Sequence, residues 1–183
     1  MPDTELTTKI MKAVDDGLQE QIDYTAELVR LPSLRGQEAT AQDFMARSMR
    51  DRGLTVDRWK INIEDIQNLP GFSPVHISYD DAWNVVGSHR PSNAKGKSLI
   101  LNGHIDVVPT GPLDMWTRPP FDSYVDGDWL YGRGAGDMKA GLAINLYALD
   151  ALKRIGLAPA GDIHFQSVVE EECTGNGALA CLQ

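Results

Sequence analysis

The chain has 183 residues, 42% of them hydrophobic and 23% charged, a balance typical of a single soluble domain with a hydrophobic core. Its formal net charge of −9 argues against a nucleic-acid partner, because contacts to phosphate need clustered Lys and Arg. No apolar run approaches the roughly 20 residues needed to cross a bilayer, which argues against a membrane-spanning protein.

The compartment is predicted from the start of the chain and from its cysteines. Residues 1–21 contain early acidic residues, no apolar core and no small-residue cleavage site, so they do not resemble a secretory signal. Cys173 and Cys181 are too few for a disulfide scaffold and lack the partners of a structural zinc site. We therefore expect a cytoplasmic protein with two incidental thiols.

Two amphipathic helices are predicted at the start of the chain. Apolar residues recur every three or four positions from Leu6 to Leu31, which predicts one long helix ended by the following proline. A second helix is predicted over residues 38–52, where Gly53 supplies the stop. Residues 54–63 alternate as a half-buried strand does, and residues 63–82 have no sustained period and predict a surface excursion.

Strands and helices alternate in the remaining sequence. Strands are predicted over residues 83–90 and 97–104, and the second is almost continuously apolar, as expected for a strand covered on both faces. A short strand and glycine turn over 128–137 precede a helix over 138–156 and a buried strand over 162–172. This order predicts a layered α/β fold, whose ligands gather at the carboxyl ends of strands.

Three polar clusters lie where predicted strands or glycine turns end, namely Gly103–Asp106, Gly132–Asp137 and Glu170–Glu172. A lone histidine at a strand end is more often structural, but a divalent metal needs imidazole and carboxylate donors on rigid backbone. His104 and Asp106 fit that need, since alternation places both on one face and lets the carboxylate orient the ring. The three clusters together favour a metal site.

Other interpretations of these clusters exist. Gly132 and Gly134 supply the opening G-x-G of a dinucleotide-binding loop, but Asp137 stands where the third glycine is due and would repel a pyrophosphate. The three glutamates could be a solvated acidic strand end. They follow an apolar run, however, and their mutual repulsion favours a cation as the neutralising partner.

The strings NGHIDVVP, LYGRGAGDMKAG and VVEEECTGNG, with a tryptophan and PPF between the first two, together resemble a known family. It is the zinc metallopeptidase and deacylase family of acetylornithine deacetylase, succinyl-diaminopimelate desuccinylase, aminoacylases and glutamate carboxypeptidases. The likeness extends from about Leu6 to the end of the chain. It implies a three-layer α/β/α zinc-peptidase-like catalytic domain, of which residues 1–183 are the N-terminal part, without the lid and dimerisation domain.

The resemblance also implies roles for single residues. His104 is implied as a ligand of one zinc ion, Asp106 as the residue that orients it, and Asp137 as the carboxylate that bridges two metals and precedes a cis peptide bond. Glu171 is implied as the general base and Glu172 as a ligand of the second metal. The run of three glutamates leaves this register open by one residue. Zn²⁺ is the implied cofactor, with Co²⁺ or Mn²⁺ as possible substitutes.

The implied reaction is metal-dependent hydrolysis of an amide bond in a small N-acyl amino acid or short peptide. Deacylation like that of acetylornithine deacetylase is the leading hypothesis, a di-, tri- or carboxypeptidase is the alternative, and a non-catalytic binding module is a third. In the family a second carboxylate, a late histidine and a lid domain that dimerises lie beyond the position of residue 183. We therefore expect a full-length homodimer, and a 183-residue chain that is inactive alone and binds metal weakly.

Overall fold

The computed structural model describes residues 4–182 and contains a four-stranded mixed sheet and a small hairpin. The strands are β1 (Thr55–Lys60), β2 (Trp83–His89), β3 (Leu99–His104), β4 (Tyr124–Asp126), β5 (Trp129–Tyr131) and β6 (Ile163–Val168). The sheet order is β1-β2-β6-β3, and β4 pairs with β5 in the hairpin. Strands β1, β2 and β6 pair antiparallel, whereas β3 and β6 are parallel.

Six α-helices accompany the strands in the described part of the chain. They are α1 (Thr4–Asp16), α2 (Leu18–Val29), α3 (Ala39–Asp51), α4 (Ile63–Ile66), α5 (Ala140–Arg154) and α6 (Asn176–Ala180). Helices α3 and α5 cover one face of the sheet, and α1 and α2 pack against α5. None of the helices within residues 4–182 has both the length and the apolarity to cross a membrane.

The predicted first helix is in fact two helices, so this prediction is wrong at its centre. The chain leaves the helix at Gly17, whose N–H bonds to the carbonyl of Val14 at 3.0 Å. A Cβ at Gly17 would lie 1.7 Å from Nη1 of Arg154, so the guanidinium fills the space that a side chain would need. Glycine also has a low helix propensity, and the break follows from both causes.

The prediction for residues 63–82 is also partly wrong. They form no regular strand, but Ile66, Tyr79 and Ala82 are buried in the hydrophobic core. These anchors stand at irregular intervals in the sequence, so no period revealed them. Tyr79 becomes important below, because its hydroxyl reaches the third polar cluster.

Strand β3 is an edge strand, and its first two side chains, which point to opposite faces, are both exposed, which corrects the prediction that it is covered on both faces. Among the described residues only β6 pairs with it, and its Leu99 and Ile100 are 49% and 57% exposed. Its last residues are buried instead, because α5 packs beneath Gly103. The opposite face of the sheet is covered at one end by α6, where Asn84 donates to the carbonyl of Gly177 at 2.7 Å.

The parallel pair β3 and β6 places two of the polar clusters side by side. His104 ends β3 and is in register with Val168, which ends β6. The ladder continues one step further, since the N–H of Ile105 bonds to the carbonyl of Val168 at 2.8 Å. The residues that follow both strands therefore meet at the same end of the sheet, beyond the carboxyl ends of the strands, as the α/β prediction required.

Candidate metal centre

His104 lies at the centre of the site and is 4% exposed. Its Nδ1 is 2.9 Å from the backbone carbonyl of Asp106, and its Nε2 is 3.0 Å from Oδ1 of Asp137. Burial alone would lower the pKa of His104, but the bonds to Asp106 and Asp137 outweigh it and raise the pKa to about 9. Since a metal ligand must be neutral imidazole, metal binding here would release a proton.

Asp106 contacts more than the histidine ring. Its carboxylate is buried and lies 3.5 Å from Nδ1 of His104. The same carboxylate also accepts the backbone N–H groups of Glu171 at 3.3 Å and Glu172 at 3.1 Å. Asp106 therefore connects the end of β3 to the turn after β6, a role that sequence reasoning missed.

Asp137 lies in a kinked segment, Ala135–Lys139, that joins the glycine-rich loop to α5, and its own backbone is extended, with φ −126° and ψ 102°. Gly134 enters this segment with φ 81°, and a Cβ there would lie 2.4 Å from Val107. The Asp137–Met138 peptide is cis, as the resemblance implied. The segment ends on Lys139, which is fully buried and donates to the carbonyls of Leu28 at 3.1 Å and Leu31 at 2.7 Å.

Three of the predicted site residues converge. Donor atoms of His104, Asp137 and Glu172 all lie within 4.8 Å of one another. Glu171 lies beside them, with Oε2 3.6 Å from Nε2 of His104, and its side chain is 54% exposed. One imidazole and two carboxylates at this separation match the donor set that divalent transition metals prefer, so the residues present fit such an ion.

The electrostatics of the cluster agree with that fit. Burial and the neighbouring charge of Asp137 raise the pKa of Glu172 above its ordinary value. Carboxylates gathered this closely repel one another until a proton or a cation neutralises them. A divalent cation held between them would therefore favour the ionised form of Glu172.

Glu170 does not face this cluster. It is 2% exposed and points inward, where it accepts hydrogen bonds from Arg35, Tyr79 and Thr174. Burial would raise the pKa of Glu170, but these donors, Arg35 first, outweigh it and hold the pKa below the usual range. Of the three adjacent glutamates, only Glu171 and Glu172 turn toward His104.

A cavity of about 650 Å³ opens beside the site. Arg35, Asp106, Thr110 and Glu172 contribute its polar lining, and the rest is mainly apolar and comes largely from the segment after β3. These apolar lining residues are Leu34, Val107, Val108, Pro109 and Cys173. The segment is braced from behind, since Trp116 donates to the carbonyl of Thr110 and Arg133 donates to that of Pro109.

Glu38 lies buried at the start of α3, behind Asp106 and Glu170. It is 1% exposed, and its Oε1 accepts the N–H of Gly36 at 3.0 Å, while Oε2 has no partner among residues 4–182. Burial raises the pKa of Glu38 to about 7, and the nearby carboxylates of Asp106 and Glu170 act in the same direction. Sequence reasoning gave no sign of this group.

Glu38 should make stability depend on pH. Since its pKa is higher in the folded than in the unfolded chain, its stabilising contribution is present at low pH and lost as the pH rises through about 7. We expect the unfolding free energy of the wild type to fall by about 3 kcal/mol between about pH 5 and pH 8. Glu38→Gln stays neutral and should not show this fall. Urea unfolding over this range measures it, with Glu64→Gln on the exposed face of α4 as control. Equal pH dependence in wild type and Glu38→Gln would contradict the expectation.

Comparisons with known proteins agree with this geometry. Residues 100–183 match the model of the family described as Peptidase family M20/M25/M40. An N-formyl-4-amino-5-aminomethyl-2-methylpyrimidine deformylase from Halalkalibacterium halodurans is 31% identical over 179 residues, which make up 96% of this chain and 38% of the relative. The deformylase of the same name from Bacillus subtilis is 29% identical, covering 94% of this chain and 37% of the relative. The chain thus spans less than two-fifths of the length of these relatives.

Solved structures share the fold. The di-peptidase Dug1p from Saccharomyces cerevisiae has a TM-score of 0.71 at 18% identity, covering 90% of this chain and 35% of the other. Human carnosine dipeptidase 1 also has a TM-score of 0.71, at 22% identity and the same coverage. These likenesses concern the fold, and they confirm the predicted α/β class. The family match over residues 100–183 and the curated relatives confirm the predicted resemblance to peptidase family M20/M25/M40.

Proposed function

We propose that the whole protein is a metal-dependent hydrolase that cleaves the amide bond of a small N-acylated amine or amino acid. The observation that carries this proposal is the convergence of donor atoms from His104, Asp137 and Glu172 within 4.8 Å. The deformylase names of the curated relatives favour removal of an acyl group over peptide cleavage. The dipeptidase structures support the fold alone, at 18% and 22% identity.

The metal is proposed to be Zn²⁺, with Co²⁺ or Mn²⁺ as substitutes. His104, Asp137 and Glu172 would hold it, and Asp137 is the candidate for a carboxylate shared between two ions. A bound divalent metal supplies a Lewis acid that polarises the scissile carbonyl and lowers the pKa of water. Its remaining ligands would come from residues outside the described part of the chain.

Glu171 is the proposed general base. It would take a proton from the attacking water as the water oxygen bonds to the carbonyl carbon, and return that proton to the nitrogen as the C–N bond breaks. The products are a carboxylate and an amine. The exposure of Glu171 beside the buried His104 suits this role, because substrate and water can reach its carboxylate.

The cavity beside Glu172 would receive the part of the substrate next to the scissile bond. Its walls are mainly apolar, and its one lining cation, Arg35, is already paired with Glu170. A planar, uncharged group such as the pyrimidine in the relatives' names therefore suits this space better than a carboxylate does. The homodimer, the lid domain, the cytoplasmic location and the place of residues 1–183 within a longer catalytic domain stay predictions.

A substrate panel tests the proposed function. The whole protein, stripped of metal with chelator and reloaded with Zn²⁺, Co²⁺ or Mn²⁺, would be offered N-formyl aminomethylpyrimidine, N-acetylornithine, N-succinyl-diaminopimelate and dipeptides. We expect metal-dependent release of amine from an acylated substrate and no turnover by the 183-residue chain alone. Turnover of dipeptides only would favour the peptidase, and absence of both turnover and metal binding would favour a binding module.

A further inference from the structure

The turn that presents Glu171 and Glu172 has an unusual backbone at its first residue. Glu170 has φ 68°, and within residues 4–182 it is the one non-glycine residue with positive φ. An L side chain disfavours this left-handed region, so something in the surroundings must hold the residue there. The carbonyl of Glu170 contributes by accepting the N–H groups of Thr174 at 3.0 Å and Gly175 at 2.8 Å.

The side chain of Glu170 is held more firmly still. Arg35 donates to it through Nε at 2.5 Å and through Nη2 at 2.8 Å, a two-bond pairing that fixes both position and direction. The Tyr79 hydroxyl donates at 2.6 Å and the Thr174 hydroxyl at 2.9 Å. Asn176 supports Tyr79 in turn, with Nδ2 3.1 Å from the hydroxyl oxygen.

These partners come from separate parts of the chain. Arg35 follows α2, Tyr79 lies in the irregular segment before β2, and Thr174 lies in the turn itself. On the other side of the turn, Asp106 accepts the N–H groups of Glu171 and Glu172. The segment formed by Glu171 and Glu172 is therefore fixed on one side through Glu170 and on the other side by Asp106.

We infer that Glu170 is a positioning residue, whose buried carboxylate holds the turn in the one conformation that directs Glu171 and Glu172 at His104 and Asp137. Glu170 touches neither substrate nor metal in this arrangement. The inference rests on the proposed function, because it assigns Glu170 a purpose in building the metal centre. Losing outer partners of metal ligands typically costs about 10- to 100-fold in metal affinity.

Metal binding by two variants of the whole protein tests this inference. Glu170→Gln keeps the size of the side chain but cannot accept both Arg35 bonds, and Glu170→Gly removes the backbone penalty together with the carboxylate. We expect both to bind Zn²⁺ about 10- to 100-fold more weakly by isothermal titration and to change the visible absorption spectrum of bound Co²⁺. If backbone freedom alone shaped the turn, Glu170→Gly would bind like the wild type and overturn the inference.

Two further variants separate positioning from general stability. Asp150→Asn breaks the Arg52–Asp150 ion pair at 2.8 Å, away from the site, and should lower thermal stability while leaving Zn²⁺ affinity and the Co²⁺ spectrum unchanged. Tyr79→Phe loses one bond to Glu170 and keeps the ring, so it should fold and weaken Zn²⁺ binding to a smaller degree. Unchanged affinity in every Glu170 and Tyr79 variant would overturn the inference. A wild type that binds no metal would instead overturn the proposed function.

Discussion

Replacing Glu171 by glutamine is expected to lower kcat of the whole protein by about 10²- to 10⁴-fold, the usual contribution of a general base, while Zn²⁺ affinity stays close to that of the wild type. Glutamine keeps the shape of the side chain but cannot accept the proton of water. Glu171 lies next to His104 without belonging to the group of three converging donors, so its removal should spare the metal. Steady-state kinetics at saturating Zn²⁺, with metal content measured in parallel, provide the comparison.

The matched variant is Glu172→Gln. Its donor atom belongs to the converging group, and we expect this change to lower Zn²⁺ affinity more than kcat at saturating metal. Together the two variants decide the register that the run of three glutamates leaves open. The reverse pattern, with metal lost in Glu171→Gln and kcat lost in Glu172→Gln, would exchange the two assignments.

Asp137→Asn is expected to have the largest effect on metal binding. It removes a negative charge 3.0 Å from the His104 ring while keeping the size of the side chain. Since loss of an outer partner already costs about 10- to 100-fold, loss of this ligand should lower Zn²⁺ affinity by more than about 100-fold and abolish turnover. Isothermal titration with Zn²⁺ and the substrate panel measure the two effects.

The control for Asp137→Asn is Asp126→Asn in the exposed β4–β5 hairpin. It removes the same charge and should leave both quantities unchanged. Zn²⁺ affinity within experimental error of the wild type in Asp137→Asn would contradict the assignment of Asp137 as a metal ligand. Thermal unfolding of both variants without metal would show whether the folded state is retained.

The converging donors were predictable because each belongs to a short motif at the end of a strand or glycine turn. His104 ends β3, Glu172 follows β6, and parallel pairing alone brings two such ends together. Local patterns also sufficed for α3, with its stop at Gly53, and for strands β1 and β2. In these cases the information lies within one element.

What the sequence did not reveal depends on contacts between distant residues. Arg35 and Tyr79 stand 135 and 91 positions from Glu170, and neither belongs to a motif or period. The break in the first helix likewise depends on Arg154, whose guanidinium occupies the space beside Gly17. The buried carboxylate of Glu38 follows from packing of the segments around it, and packing has no local signature.

The free edge of β3 has a consequence for the behaviour of the isolated chain. Within residues 4–182 only β6 pairs with Leu99–His104, so the backbone groups on the other side of this strand, flanked by the exposed side chains of Leu99 and Ile100, form a template to which another extended segment can add. A strand that joined this edge would lie directly beside the residues leading to His104. Self-association of the purified chain through these six residues would therefore also affect the position of His104.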